Sequence, residues 1–279
     1  MSYTTKLRYI HAKTGEIFNS DEIIIDKELV KSKYKSIKDT NNFINDNLGY
    51  YFHLIYETLL ELNLESQMII RFIKLCCYSD YKNILTNGNT KAKSNILEEN
   101  LIDILKLSRA EYFKTKKYLV ENNLIFITNS CIKINDKYSL RGKLTKELKN
   151  KEFTRVFSKG FIELYDNTTP IQHKKLAVFI QLLPYINVHY NVVCLNVKTN
   201  NFDESQPLQS TEIANLCGYE KTSRFIKDLL SLKIKDMYVL VKITRGDRDF
   251  FVVNPRIYYK GNNIEKLKYI MNFFDYKTS

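Results

Sequence analysis

The sequence has no tryptophan, few glycines and prolines, and no long hydrophobic run. Its 279 residues include only 8 glycines and 4 prolines, and this scarcity of turn-forming residues disfavours a loop-rich β-sandwich. The longest apolar segment, residues 179–186, is interrupted by Gln and Pro and falls short of the roughly 20 residues that a membrane span needs. The first residues contain no apolar signal-peptide core. We therefore expect a cytoplasmic protein without a membrane partner.

Motifs for catalysis and metal binding are also missing. The 5 cysteines form no C-x-x-C pair, and their odd number favours reduced, buried thiols over disulfides or zinc ligands. The 4 histidines form no His-x-His pair and are expected to be structural or surface groups. Gly142-Lys143 lacks the upstream glycine and the hydroxyl residue of a phosphate-binding loop, and neither G-x-S-x-G nor H-E-x-x-H occurs. We predict no enzyme, cofactor or metal, and scattered carboxylates are the one catalytic alternative.

The sequence has fewer acidic residues than basic ones. The chain has 43 Lys+Arg against 31 Asp+Glu, which gives a net charge of +12. Such an excess indicates an anionic partner, most often nucleic acid, with a membrane surface as the alternative. Since 44% of the residues are hydrophobic, a disordered chain is excluded, and the length suffices for two domains with their own cores.

The pattern of residues 203–261 is helix, tight turn, helix and two strands. Ser210 is the expected N-cap of the first helix, and Gly218 ends it because glycine tolerates positive φ. The second helix begins near Lys221 or Thr222, and its apolar positions recur at helical spacing: Phe225, Ile226, Leu229 and Leu230. This order predicts a winged helix-turn-helix, which places its second helix in the major groove of DNA.

The exposed side of that second helix carries hydrogen-bond donors near its start. They are Lys221, Ser223, Arg224 and Lys227, where a recognition helix meets base edges. Two β-rich runs then flank a glycine turn, which predicts a wing. Arg245 and Arg248 lie at its tip and would reach phosphates or the minor groove. The alternative is an ordinary solvated helix and a hairpin whose arginines serve solubility.

The same order occurs earlier in the chain. Residues 50–62, 65–78, 97–105 and 108–121 have helical spacing, and residues 124–127 and 131–134 predict a hairpin. The last of these helices carries the candidate DNA contacts Ser108, Arg109, Lys114, Lys116 and Lys117. Residues 135–142 correspond to residues 254–261, each beginning with Asn and ending with Gly. The two units therefore look like a diverged internal repeat.

Four further segments flank or connect the two units. Residues 6–25 predict a β-hairpin turning at Thr14-Gly15, and residues 26–47 predict a basic arm on phosphate or a flexible solvated connector. Residues 133–159 predict a basic connecting helix, with Lys143 and Lys146 along the DNA backbone or simply solvated. The tail, residues 264–276, predicts a helix that packs on the second unit or on a second subunit.

The expected fold is mainly α with small β-hairpin wings, an α+β class built of tandem winged helix-turn-helix domains. Its segments are an N-terminal hairpin and basic arm (1–48), a first winged domain (49–142), a basic connecting helix (143–160), a second winged domain (161–262) and a C-terminal helix (263–279).

The second unit resembles the RepL-type winged-helix replication initiators of plasmids and phages. Three segments carry the likeness: FIELY at 161–165, EIANL at 212–216 followed by SRFIKDL at 223–229, and FVVNPRIYYKG at 251–261. The TGE hairpin at 14–16 is similar to what often precedes such domains. The chain departs from the family in its first winged unit and in the long loop at 199–207, and two tandem units also look like iteron-binding plasmid initiators. The resemblance implies a protein associated with the nucleoid or a plasmid of a bacterial host.

Three functions follow as hypotheses. The first is sequence-specific binding of double-stranded DNA, most of all as an initiator on origin repeats, with a transcriptional repressor of a mobile element as the alternative. The second is a protein-interaction module in which the aromatics Tyr258 and Tyr259, expected to be exposed, bind host replication proteins or a sister subunit in a homodimer. The third is single-strand or RNA binding through stacked tyrosines.

Overall fold

The computed structural model describes residues 8–10, 17–19, 27–87 and 93–277. The chain divides into two compact units, residues 1–44 and 45–279. Helices and small antiparallel sheets of two or three strands make up the described residues, so the fold belongs to the α+β class. The α-helices are α1 (Lys27–Leu48), α2 (Tyr56–Glu61), α3 (Ser66–Cys76), α4 (Leu101–Leu105), α5 (Arg109–Glu121), α6 (Ser158–Asp166), α7 (His173–Leu176), α8 (Val178–Leu182), α9 (Ser210–Leu216), α10 (Thr222–Leu230) and α11 (Ile264–Lys277).

The strands are short and pair mainly as hairpins. They are β1 (Arg8–Ile10), β2 (Ile17–Asn19), β3 (Tyr51–Leu54), β4 (Thr86–Asn87), β5 (Ser94–Asn95), β6 (Ile125–Ile127), β7 (Ile132–Ile134), β8 (Ser139–Leu140), β9 (Thr154–Phe157), β10 (Lys233–Ile234), β11 (Met237–Tyr238), β12 (Leu240–Arg245) and β13 (Arg248–Val253). One sheet has three strands, in the order β8-β3-β9, and all its pairings are antiparallel.

In the N-terminal unit, β1 pairs with β2 as the sequence predicts. The predicted turn, Thr14-Gly15, lies outside the described residues. The segment expected to be a basic arm or a flexible connector is instead the long helix α1. The prediction of a flexible connector is therefore wrong, because lysine, a residue with high helix propensity, recurs through its first half.

The larger unit contains two repeats with matching hydrogen bonds. Asn135 and Asn254 each follow the last strand of a hairpin, and each side-chain Nδ2 donates to a backbone carbonyl, that of Asn123 at 2.7 Å and that of Tyr238 at 3.0 Å. Their Oδ1 atoms accept the backbone N–H two residues later, at 3.1 and 3.0 Å. The predicted internal repeat is confirmed by these contacts. We call residues 51–142 the first repeat and residues 153–261 the second repeat.

The matched contacts also agree with the alignment of residues 135–142 with residues 254–261. The amide of Tyr138 donates to the carbonyl of Asn135, and the amide of Ile257 donates to that of Asn254. Tyr138 therefore corresponds to Ile257, as the match of residues 135–142 with residues 254–261 predicts. The next residues along the chain, Tyr258 and Tyr259, are each only 1% exposed, so the prediction that they form an exposed aromatic surface is wrong.

The two repeats meet along a sheet. Strand β3 opens the first repeat and β9 opens the second, and they pair antiparallel with His53 opposite Arg155. Since the two strands occupy equivalent places and run in opposite directions, a local twofold axis near this pair relates the repeats. The edges match as well, because β8 extends β3 on one side and Tyr258 bridges to Val156 of β9 on the other.

The connecting helix predicted over residues 143–160 does not form. The segment holds a single 3₁₀ turn at Leu148–Asn150, then strand β9, and the helix α6 begins only at Ser158. All four residues of β9 are buried, so sheet pairing takes precedence over the basic, partly amphipathic pattern of the sequence. Strand β3 likewise replaces the first turn of the helix expected over residues 50–62.

The remaining elements follow the sequence closely. The helices predicted over 65–78, 97–105 and 108–121 appear as α3, as a 3₁₀ turn followed by α4, and as α5. The predicted tail helix is α11, whose residues Leu267 and Phe274 are fully buried. One continuous core joins the two repeats, with α3 of the first packed against α6 and α7 of the second.

Candidate nucleic-acid interface

Helix α10 is amphipathic and presents its basic residues outward. Lys221 is its N-cap residue, and Phe225 and Leu229 are buried in the core. The predicted contact residues Lys221, Ser223, Arg224 and Lys227 are all exposed. The sequence correctly predicted the buried side and the exposed side of this helix, because the spacing of the residues follows the helical period.

The basic charges on α10 are not neutralised by nearby carboxylates. Within the described residues, no Asp or Glu oxygen lies within 4.0 Å of the side-chain nitrogens of Lys221, Arg224 or Lys227. The acid on the same helix, Asp228, is already held by Lys175 of α7, with Nζ and Oδ1 2.7 Å apart. This pair ties α10 to α7 and leaves the outward cations available for an anionic ligand.

The turn before α10 follows the prediction in part. Gly218 has φ +70°, and a Cβ at this position would meet nothing within 4 Å. The N-cap of α9, however, is Gln209 rather than Ser210, and the Glu212 carboxylate accepts the Gln209 backbone N–H at 2.7 Å. Ser210 instead donates its hydroxyl to Asp249 of β13, because this acceptor lies on the adjacent hairpin.

The hairpin β12–β13 forms where the sequence predicts it, with Gly246 at the turn and Arg245 opposite Arg248. Both arginines are exposed. Arg245 has a solvent-exposed partner, Asp203, at 3.5 Å, a type of contact that contributes little. Arg248 has no ion pair among the described residues.

The hairpin is fixed to α9 by one carboxylate. Asp249 accepts hydrogen bonds from Ser210 and Thr244 and pairs with Lys242 at 2.7 Å. The hydrogen bond from Lys242 is the main cause that lowers the pKa of Asp249. This network sets the position of the hairpin relative to the helix pair.

The basic residues of α5, the corresponding helix of the first repeat, are paired with acids. Lys116 lies 2.5 Å from Glu98, Lys117 lies 3.8 Å from Glu121, and Lys114 lies 4.0 Å from Glu65. Arg109 lies over the ring of Phe113, at 5.8 Å from the centroid. The sequence did not reveal these partners, since two of the three acids come from other elements.

Alignment of the helix starts shows a further difference. Ser108 caps α5 by accepting the Glu111 N–H, and Lys221 occupies the N-cap position of α10. Three residues later α5 has Glu111 where α10 has Arg224. Glu111 is bound by the buried Arg71 of α3 at 2.9 Å. The exposed start of α5 therefore presents a carboxylate where α10 presents a guanidinium.

Two other predicted DNA contacts lie in the segment that connects the two repeats. Lys143 and Lys146 are exposed and have no ion pair among the described residues. They are available to phosphate, although from an irregular segment rather than from the predicted helix.

Sequence analysis missed one residue beside α10. A cleft of about 960 Å³ separates the start of α10 from α7 and α8. Its lining residues include Lys174, Lys221 and Arg224 as well as Glu65 and Glu220. Lys174 is exposed and has no ion pair in the part of the chain that the structure describes. Its run of residues, HKK at 173–175, gave no signal because only the fold brings Lys174 to the turn before α10.

The three described histidines have structural surroundings. Burial is the main cause that lowers the pKa of His53 and of His173 to about 4, so both rings are neutral at pH 7. His173 is 1% exposed and packs against the ring of Tyr165 at 4.3 Å. His189 is half-buried next to Tyr190.

No protein-family model, no curated protein and no solved structure matches the chain significantly. Within the described residues, no helix has the length and apolar character required to cross a membrane.

Proposed function

We propose that the protein binds double-stranded DNA in a sequence-specific manner and serves as a replication initiator that recognises origin repeats of a plasmid or phage. In this proposal α9, α10 and the hairpin β12–β13 form a winged helix-turn-helix, and α10 enters the major groove. The observation that carries it is the exposed start of α10, where Lys221, Arg224 and Lys227 lack carboxylate partners. The initiator role rests on the RepL-type resemblance of the second unit.

In this proposal the two repeats make different kinds of contact with DNA. Arg224 has the fork geometry that pairs bidentately with guanine, and the wing arginines Arg245 and Arg248 supply phosphate or minor-groove contacts. The equivalent face of α5 has Glu111 and ion-paired lysines, so it adds little base recognition. The first repeat then contributes general attraction to phosphate, together with Lys143 and Lys146.

The alternative of a protein-interaction module has lost its main support, because Tyr258 and Tyr259 are buried. A transcriptional repressor uses the same DNA-binding surface as an initiator and differs in the arrangement of its sites. Direct repeats among the bound sequences support the initiator, whereas a palindrome supports a dimeric repressor.

Selection of bound sequences from a random duplex library tests this proposal. We expect an enriched motif whose affinity falls at least tenfold between about 50 and 200 mM salt, because phosphate contacts release counterions. A library without enrichment, or an affinity that does not change over this range, contradicts the proposal.

A further inference from the structure

Two of the most exposed aromatic side chains flank one arginine in the first repeat. Tyr50 is 64% exposed and Tyr81 is 69% exposed. The guanidinium carbon of Arg141 lies 5.9 Å from the centroid of the Tyr50 ring. The Tyr81 ring lies against the next residue, Gly142, where an added Cβ would come within 3.1 Å of the ring carbon Cδ1. We call Tyr50, Tyr81 and Arg141 the tyrosine patch.

The fold holds this patch in place. The carbonyl of Tyr50 accepts the Ser158 N–H at 2.9 Å, and Arg141 donates from Nη2 to the Ser158 hydroxyl at 3.0 Å. The rings themselves face solvent, although tyrosine buries a large apolar area when it is packed. Their exposure on a fixed backbone provides flat surfaces on which another planar group can stack.

Uncompensated positive charge surrounds the patch. Lys82 follows Tyr81, Lys143 follows Gly142, and Lys159 lies beside Gly49, next to Tyr50. All three lysines are exposed, and none has an ion pair among the described residues. The nearby acid Asp80 is occupied by Lys93 and by the backbone amides of Lys82 and Ile84.

The equivalent site in the second repeat contains a carboxylate that forms ion pairs with lysines. Lys260 corresponds to Arg141, and Glu152 takes the place of Tyr50. Lys260 forms an ion pair with Glu152 and a hydrogen bond with Tyr56, just as Arg141 contacts Tyr50 and Ser158. The repeats thus share the framework, but only the first combines exposed rings with free cations.

We propose that the tyrosine patch binds single-stranded nucleic acid, with bases stacked on Tyr50 and Tyr81 and phosphates held by Lys82, Lys143 and Lys159. Single-strand sites combine aromatic stacking platforms with a positively charged surface. Paired bases in a duplex are already stacked and do not offer their faces to a ring. The proposal rests on the proposed function only in that the partner is a nucleic acid, and it adds a second site, built from residues outside α10, for an unpaired strand.

Fluorescence anisotropy with labelled oligothymidylate and oligouridylate of about 20 nucleotides tests the patch, since single-strand sites span about 4–16 nucleotides. We expect Tyr50→Ala combined with Tyr81→Ala to weaken single-strand binding by about tenfold or more. Tyr50→Phe combined with Tyr81→Phe keeps the rings and should bind like the unchanged protein. A loss of affinity of the double alanine variant for either oligomer supports the proposal. The relative loss of affinity for the two oligomers shows whether deoxyribose or ribose is preferred.

Two controls make the result specific. Tyr269 and Tyr276 of α11 are even more exposed, at 74% and 82%, and their replacement by alanine should leave single-strand affinity unchanged. The duplex chosen by selection should bind the alanine pair at Tyr50 and Tyr81 normally, whereas Arg224→Ala should affect only the duplex. The proposal is overturned if the double alanine variant at Tyr50 and Tyr81 binds both oligomers like the unchanged protein. It is also overturned if the double phenylalanine variant loses as much single-strand affinity, or if alanine at Tyr269 and Tyr276 lowers that affinity equally.

Discussion

Asn83 and Asn191 occupy equivalent positions in the two repeats and make the same contact. Both have left-handed backbones, with φ of 60° and 53°, and both are almost fully buried. Each Nδ2 donates over 2.7 Å to the carbonyl of a residue after the hairpin, Ser139 in one repeat and Tyr258 in the other. Their carbonyls also accept equivalent backbone amides, those of Ile134 and Val253. This pair anchors each hairpin to the core.

Replacing either asparagine with alanine should destabilise the protein by about 2–5 kcal/mol. Left-handed backbone costs alanine about 1–2 kcal/mol, and the carbonyl left without its donor adds about 1–3 kcal/mol. Asn83→Gly and Asn191→Gly avoid the backbone penalty, because glycine tolerates positive φ, and keep only the second penalty, so they should cost less than the alanine variants. Urea denaturation measures all four, and a glycine variant no more stable than its alanine counterpart contradicts the role of the backbone conformation.

Two glycines should respond differently to alanine because of their surroundings. A Cβ at Gly160 in α6 would clash with the carbonyl oxygen of Arg256, whereas a Cβ at Gly218 would be in open space. Gly160→Ala should therefore lower the free energy of unfolding by about 1–3 kcal/mol or more through overpacking, despite alanine's better helix propensity. Gly218→Ala should cost about 1–2 kcal/mol, from its positive φ alone. A Gly160→Ala variant as stable as the unchanged protein would show that α6 does not pack this closely.

The buried His173 should make stability depend on pH between about 4 and 6.5. Its burial, with Arg71 and Lys74 nearby, lowers its pKa to about 4, whereas the unfolded chain has a value of about 6.5. The unfolded state thus binds more protons in this window, so stability is complete above pH 6.5 and is lost as the pH falls. The loss between pH 7 and pH 5 should be about 2 kcal/mol from this residue.

His173→Phe removes the titrating group and keeps a ring against Tyr165. Urea denaturation of this variant at pH 7 and pH 5 should show a loss smaller than that of the unchanged protein by about 2 kcal/mol. An equal loss in the two proteins would mean that His173 titrates normally when folded. Because His53 has its pKa lowered to about 4 as well, the variant should keep some pH dependence.

The lysines of α5 should become stronger DNA contacts when their acidic partners are removed. Glu98→Gln combined with Glu121→Gln frees Lys116 and Lys117 and removes two negative charges near them. Affinity for a scrambled duplex should rise and its salt dependence should steepen, because more counterions are released. Glu265→Gln, on the exposed side of α11, provides a matched charge control. If Glu265→Gln and the double variant at Glu98 and Glu121 raise the affinity for the scrambled duplex equally per charge removed, the location of the lysines is unimportant.

The sequence predicted those elements whose signals are local. Helices α3, α5 and α10 have periodic apolar positions, and the hairpin β12–β13 has β-rich strands around Gly246, so a short window suffices for each. Strands β3 and β9 were missed because they are four residues long and are stabilised by each other across the repeats. The burial of Tyr258 follows from its bridge to Val156, and no local pattern reports such a contact.

The features of the candidate interface were likewise predicted only where their signal is local. The exposed face of α10 could be predicted because exposure follows helical spacing. The ion pairs of Lys114 and Lys116 could not, since Glu65 and Glu98 come from other elements. Lys174 joined the interface only through the packing of α7 beside α10. Charge composition therefore located the basic residues but did not distinguish free cations from paired ones.

The most direct test of the central claim is the affinity of Arg224→Ala for the selected duplex and for a scrambled duplex, at several salt concentrations. The account predicts a loss of about 1–3 kcal/mol on the selected duplex, with relaxed preference at one or two base pairs and little change on the scrambled duplex. Lys116→Ala combined with Lys117→Ala should weaken both duplexes about equally, and Lys198→Ala, an exposed lysine elsewhere, should change neither appreciably. Equal weakening of both duplexes by Arg224→Ala, with a change of sequence preference in the α5 lysine variant, would contradict the assignment of base recognition to α10.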